Sequence, residues 1–288
     1  VRVNALKRAA VLRAGLAALA LLLVCLRGAA AADGEGEVLF FALENPKKDY
    51  GFSKKVNALD ADGIGLIAKK KFAEAIKRFD ASLKEMPKNP RALANRGVCE
   101  QSLKNYGAAI ADFTAALKIA PELAPLVSDP LGRAYLDRGR GRIDARDGDG
   151  AMSDYRLSLQ FRSGAKQAPS YSEIAYLWSL ARDYTKCIAA ATKAITSDPG
   201  FADGWSNRAA CRITGGRPED ALGDLDRAIE LQPANPQPYI SRATAYQILG
   251  RCREARADRD KIVALDPKYA DMVAGVSTCK DSARPAPR

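Results

Sequence analysis

Histidine is absent from all 288 residues, which removes the commonest general base and metal ligand. No G-x-S-x-G, Walker-type glycine loop or G-x-G-x-x-G occurs either. The six cysteines form no C-x-x-C pair, so neither a zinc knuckle nor a thioredoxin-type site is indicated. The acidic run from Asp144 to Asp149 lacks the ordered alternation and trailing glutamate of a calcium loop, and reads as a polar turn. No catalytic residue, cofactor or metal ligand is assigned. The expectation is a protein that is not an enzyme.

Long apolar runs are scarce as well. The longest is Ala14 to Leu26, thirteen residues, against the roughly 20 that a spanning helix needs. Arg2, Lys7, Arg8 and Arg13 lie before it, and the small residues Gly28 to Ala32 follow, ahead of Asp33. Basic, apolar, then A-x-A is the order of a cleaved secretory signal, so residues 1–32 read as a signal peptide cut near Ala32. The alternative is an uncleaved inner-membrane anchor. A periplasmic or secreted location is expected in the first case, inner-membrane anchoring in the second.

Loss of residues 1–32 would remove five basic groups and no acidic one, taking the formal charge from +11 to +6. That is a mildly cationic surface without a nucleic-acid signature. Five cysteines would remain, an odd number that leaves at least one thiol free or paired between chains.

What is abundant is a period. In Pro90 to Pro121, Leu93, Gly97 and Glu100 share one helical face; Ala109, Phe113 and Ala116 share another, and Pro121 ends it. Closing prolines fall at Pro87, Pro121, Pro199, Pro233 and Pro267, with spacings of 34, 78, 34 and 34. A fixed period of this size marks a solenoid of helix–turn–helix units. The first unit supplies Gly63, Ala75, Phe79 and Pro87. The second supplies Gly97, Ala109, Phe113, Ala116 and Pro121. The fifth supplies Trp205, Ala209, Ala221, Leu225, Ala228 and Pro233; the sixth Tyr239, Ala243, Tyr246, Ala255, Ile262 and Pro267. Between them Gly139, Ala151 and Tyr155 mark a third unit, after an insertion around Glu122 to Leu131. Arg142 there holds a usually aromatic place. Tyr171, Ala175, Trp178, Cys187, Ala191, Ala194 and Pro199 mark a fourth.

These residues resemble the tetratricopeptide repeat (TPR) family, in a bacterial, exported form. The resemblance implies an all-α, TPR-type α-solenoid: a right-handed superhelix of antiparallel helix pairs, about six repeats plus a C-terminal capping helix. The expected divisions are the signal peptide, a 33–55 extension or linker, and a solenoid over 56–267. Its repeats fall near 56–89, 90–123, 132–165, 168–201, 202–235 and 236–269. A capping helix over 268–280 and a disordered tail over 281–288 follow.

Within that frame two positions sixteen residues apart change together. Position 7 is Arg96, Arg138, Arg208 and Arg242 where position 23 is Asp112, Asp154, Asp224 and Asp258. The first repeat reverses the signs with Asp62 and Arg78, and the fourth has Ile174 and Ala190. A lone arginine on a packing stripe carries a desolvation cost that a facing carboxylate offsets, so structural ion pairs are expected. Trp178 and Trp205 sit on stripes and read as core. Cys252 and Cys279 are candidates for a disulfide that fastens the cap, with buried free thiols as the alternative.

The resemblance also implies that binding occurs on the concave face of the first helices. Candidate groove residues are Arg91, Asn95, Gln101, Arg133, Asp137, Arg140, Tyr176, Asn207, Thr244 and Gln247, with Asp203 beside them. Asn95 and Asn207 share one frame position, where an amide both donates to and accepts from an extended peptide backbone. A carboxylate-gripping set is only partly matched by Asp60, Ile64, Asn95, Arg133 and Asp137. The expected function is a non-enzymatic protein–protein interaction scaffold or adaptor in the cell envelope, binding a protein or peptide in the groove. The alternative is an inner-membrane-anchored assembly factor displaying the repeats. No nucleic-acid partner is expected, and a membrane is contacted only through an uncleaved N-terminal segment.

Overall fold

Asn89 shows how the repeat is written into local structure. Its side-chain oxygen accepts hydrogen bonds from the backbone N–H groups of Arg91 and Ala92, and Pro90 opens the helix behind it. A computed structural model describes residues 51–278. The expected signal peptide and its cut, most of the expected 33–55 extension, Cys279 and the 281–288 stretch lie outside the described residues. Among the described residues every regular element is helical.

These residues form two compact units, 51–163 and 164–278. The first holds α1 (Lys54–Ala68), α2 (Phe72–Glu85), α3 (Pro90–Ser102), α4 (Tyr106–Ile119), α5 (Ala124–Asp144) and α6 (Gly148–Phe161). The second holds α7 (Ala168–Leu180), α8 (Tyr184–Ser197), α9 (Ala202–Thr214), α10 (Pro218–Leu231), α11 (Pro236–Ile248), α12 (Cys252–Leu265) and a single turn, α13 (Ala270–Val273). In each unit odd and even helices pair through three-residue turns, the short connection of antiparallel neighbours.

All six pairs turn in the same way. One residue of each connection has positive φ: Lys70, Lys104, Arg146, Arg182, Gly216 and Gly250, between 56° and 79°. In the second pair the N–H of Asn105 reaches the carbonyl of Glu100 (2.8 Å) and that of Lys104 reaches Gln101 (2.9 Å). These bonds satisfy carbonyls that a helix end otherwise leaves open.

The two helices of a pair meet ring to glycine. A Cβ on Gly63 would lie 2.6 Å from the Phe79 ring, on Gly97 2.8 Å from Phe113, and on Gly139 2.5 Å from Tyr155. Phe79, Phe113 and Tyr155 are fully buried. Where that glycine is replaced by Ala175 or Ala209, the facing residue shrinks to Ala191 or Leu225.

The expected insertion around Glu122 to Leu131 lengthens the first helix of its pair, which has 21 residues where α3 has 13. After a 3-10 turn at Pro121–Leu123 the stretch becomes the first two turns of α5, with Pro125 in the opening turn and Pro130 inside the helix. Leu123, Val127 and Leu131 are buried with Phe113 and Ala116 in one core, so helical burial outweighs the cost of an internal proline. Asp129 pairs with Arg162 at 3.1 Å and ties these turns to the end of α6. The capping segment, in turn, is not one helix. It runs as a 3-10 turn (Pro267–Tyr269), α13 and another 3-10 stretch (Ala274–Thr278). Gly275 and the β-branched Val273 and Val276 favour a continuous helix weakly, and both valines pack into the cluster of Tyr239, Ala243 and Ile262.

Candidate functional site

The charged positions were the sharpest sequence feature, and geometry assigns most of them to architecture. Arg96 meets Asp112 through two hydrogen bonds of 2.8 and 2.7 Å, and Arg138 meets Asp154 at 2.9 and 2.7 Å. Arg208–Asp224 and Arg242–Asp258 repeat the fork at 2.9 and 2.7 Å. The four carboxylates are buried, so these pairs are bidentate bonds inside the helix hairpins. Hydrogen bonding to Asp112 raises the pKa of Arg96, and bonding to Asp258 raises that of Arg242, each beyond the ordinary arginine value.

Asp62 and Arg78 are a correction. Both are exposed, and among the described residues they share no ion pair. At the start of the first unit these positions face solvent, so neither charge incurs the desolvation that makes a partner necessary.

Sequence reasoning missed that the fork also joins repeats. Arg96 Nη1 reaches Asp80 of the preceding pair at 2.6 Å, and Arg242 Nη1 reaches Asp226 at 2.5 Å. Arg142, unexplained as a departure from an aromatic position, meets Asp154 at 3.1 Å and donates to the Gly150 carbonyl at 2.9 Å. Arg212 holds the same place in its own pair, meeting Asp224 at 2.7 Å and the Asp220 carbonyl at 2.9 Å. The shared register of Arg142 and Arg212 was the available signal.

In unit 51–163 the first-helix face collects Asp60, Arg91, Asn95, Arg133, Asp137 and Arg140. Asp60 is 1% exposed and accepts from Asn89 Nδ2 at 2.9 Å; its other oxygen has no hydrogen-bond partner. Asn95 is equally buried, and its Nδ2 has no partner. Arg91 stacks 5.7 Å above the Phe52 ring. Arg133 and Arg140 both approach Asp137, at 3.8 and 3.5 Å. Tyr106 stands within reach of this trio; burial first, then the Asp137 charge, pushes its hydroxyl pKa up. Gln101 is half-buried.

In unit 164–278 the corresponding face carries Tyr176, Asp203, Asn207, Thr244 and Gln247. Asn207 is not a free peptide-backbone reader: it is 3% exposed and donates to Ser172 Oγ at 2.5 Å, holding α9 to α7. Thr244 bonds its own helix at the Ile240 carbonyl, 3.0 Å away. Tyr176 packs against the cluster of Ala210 and Ile213, and Gln247 is half-buried. Trp178 and Trp205 are half-buried under cations, with Lys186 4.4 Å above the first ring and Arg208 5.1 Å above the second.

The cysteines in this unit are bonded. Cys187 of α8 and Cys211 of α9 form a disulfide between consecutive pairs, which sequence reading overlooked. Cys252 is also disulfide-bonded, and Cys99 is a buried free thiol whose pKa burial pushes up to about 12. Among the described residues no three His, Cys, Asp or Glu side chains gather as a metal ion would need.

A tetratricopeptide repeat model matches residues 63–124 and 181–236. Over those two stretches the chain is similar to tetratricopeptide repeats. The chain is 34% identical over 108 residues to the serine/threonine-protein phosphatase T of Trypanosoma brucei brucei, covering 37% of this chain and 21% of that protein. It is 26% identical over 200 residues to a tetratricopeptide repeat and J domain-containing co-chaperone of Fusarium oxysporum, covering 67% of this chain and 37% of that one. The chain thus spans well under half of either relative. Among solved structures, the C-terminal part of a TPR repeat-containing protein from Cytophaga hutchinsonii superposes with a TM-score of 0.57 at 17% identity. That match covers 75% of this chain and 84% of the other. The fold is an all-α solenoid of helix pairs, like that of the Cytophaga hutchinsonii protein.

Proposed function

We propose that this protein is a non-enzymatic scaffold, exported to the cell envelope, that binds a protein or peptide on the first-helix face of its repeats. The observation that carries the reading is a division of labour within each pair. Small and aromatic residues are consumed in the core, and arginine–aspartate forks lock the hairpins. The first-helix face is left presenting half-buried polar side chains such as Arg91, Gln101 and Gln247. Rigid, preorganised polar groups of this kind lower the ordering cost of binding an extended segment. A relative named as a co-chaperone fits an adaptor role. Export is supported by the Cys187–Cys211 disulfide, since such bonds persist in oxidising compartments, and by the basic–apolar–small order of residues 1–32.

Site-specific photocrosslinking in the full chain tests the reading. A photoreactive residue at Gln101 or Gln247 should give a discrete adduct with a partner protein, whereas one at Lys77, exposed on a second helix, should not. Adducts at Lys77 alone would place binding on the opposite face and overturn the proposal.

A further inference from the structure

In unit 164–278, Asn207 closes onto Ser172, 35 residues earlier in the chain. Asn95 and Asp60 hold the same two registers in unit 51–163, again 35 residues apart, and there the bond is not made. The reason is Asn89. It caps α3, and its Nδ2 draws one oxygen of Asp60 to 2.9 Å; the residue in its place before α9 is Phe201, whose side chain offers no hydrogen bond. Asp60 Oδ1 and Asn95 Nδ2 are thereby left over on the neighbouring helices α1 and α3. Arg91, one turn before Asn95 on the same face of α3, adds a third such atom, its buried Nε. Five buried side-chain nitrogen or oxygen atoms have no hydrogen-bond partner among the described residues, and these are three of them. Buried polar atoms in folded proteins are nearly always paired, so three at one place point to a group from outside. Side chains on a helix lean toward its N-terminus, so Arg91 and Asn95 both reach back toward the end of α3 that Asn89 fastens to Asp60.

We propose that this place takes the N-terminal residue of a partner polypeptide, its α-ammonium donating to Asp60 Oδ1 and its carbonyl oxygen accepting from Asn95 Nδ2 and Arg91 Nε. This rests on the scaffold reading above and names the part of the partner that unit 51–163 reads. The complement of one acceptor and two donors is a donor beside an oxygen with two lone pairs. A buried carboxylate favours a charged donor over a neutral one, which selects an ammonium over a backbone N–H. In an N-terminal residue a single Cα separates the ammonium from the first carbonyl. A lysine ammonium instead ends a four-carbon stem and leaves both donors of α3 unmatched. Depth argues the same way. Asp60 and Asn95 are 1% exposed and only Arg91 reaches solvent, so the site admits a chain end more readily than a strand passing through.

Capture of the full chain on bead-bound peptides tests this. The probes are pools of randomised, lysine-free heptapeptides coupled through their C-termini, one pool with free N-termini and one with acetylated N-termini. The free pool should retain about tenfold more protein than the acetylated pool. Equal retention, or retention by neither, would overturn the proposal and leave water as the partner of the three atoms. A third pool, acetylated and carrying one lysine, should behave as the acetylated pool; retention at the level of the free pool would overturn the N-terminal assignment. Asp60→Ser gives Asn95 the hydroxyl partner that Asn207 has in Ser172, and leaves Asn89 Nδ2 its bond to Ser82 Oγ at 3.0 Å. It should keep its circular dichroism and hold the free and acetylated pools equally. Asn95→Ala removes a donor that has no partner, so folding loses no hydrogen bond, and the preference should fall to about threefold or less. An undiminished preference in either variant would overturn the proposal. The photocrosslinks at Gln101 and Gln247 decide the scaffold reading separately: with adducts it stands whatever the pools show, and without adducts or retention both readings fall.

Discussion

Asp224 is held by two arginines at once: Arg208 grips both its oxygens at 2.9 and 2.7 Å, and Arg212 adds a contact of 2.7 Å. The carboxylate is 4% exposed, so the energetic asymmetry of the site is large. Deleting it leaves two part-buried cations facing each other, whereas deleting Arg208 leaves Asp224 with Arg212. Asp224→Ala should cost about 3–5 kcal/mol and Arg208→Ala distinctly less. In chemical denaturation the double variant should show a coupling of about 1 kcal/mol or more. Simple additivity would mean that Arg208 and Asp224 do not stabilise one another.

That pairing was readable because a sixteen-residue interval recurs, and self-comparison exposes it without any structure. Its limits were also physical. A sequence pattern records which residues alternate and leaves open whether a position is buried. Asp62 and Arg78 keep the interval yet sit in solvent at the start of the first unit. Asn207 and Asn95 share a register that suggested peptide recognition, but Asn207 is engaged by Ser172. The turns from Ala124 onward were hidden by Pro125 and Pro130, since local propensity argues against a helix that tertiary burial of Val127 and Leu131 enforces.

Gly97 lies against the edge of the Phe113 ring, and an added Cβ would approach it to 2.8 Å. Gly97→Ala should therefore destabilise by about 1–3 kcal/mol through overpacking. A compensating Phe113→Leu should recover part of that loss, as the Ala209–Leu225 pairing does within the chain. Thermal unfolding of the single and double variants reads the difference.

Arg182 adopts φ 58°, while Gly250 occupies the same turn of the last pair at 69°. A side chain in this left-handed region is strained, and glycine is not. Arg182→Gly should leave stability unchanged or raise it by up to about 1 kcal/mol, and Gly250→Ala should lower it by about 1 kcal/mol. A urea midpoint that falls in Gly250→Ala and does not fall in Arg182→Gly checks the argument.

Asp183 caps α8 by accepting from the Lys186 N–H at 3.0 Å, and its carboxylate also meets the Lys186 ammonium at 2.8 Å. The side-chain bond to Lys186 is the larger cause, and the backbone bond the next, holding its pKa below the usual aspartate value. A depressed folded-state pKa contributes stability above the unfolded value, near 3.9, that is lost as pH falls through the folded one. Asp183→Asn keeps the acceptor and removes the charge. The gap in melting temperature between wild type and variant should be widest at neutral pH and close in acid.

The Cys187–Cys211 bond spans a sequence separation of 24 and joins α8 to α9 across a repeat boundary. In a solenoid each pair is stabilised chiefly by its neighbours, so a crosslink at a boundary couples two units that otherwise open separately. By chain entropy the loop is worth about 3 kcal/mol. Cys187→Ser/Cys211→Ser should lower stability by that order. Hydrogen exchange should rise most in α8 and α9, with helices α1 to α4 protected as before. A uniform rise across both units would show instead that the whole chain opens as one body, and that the bond has no local role.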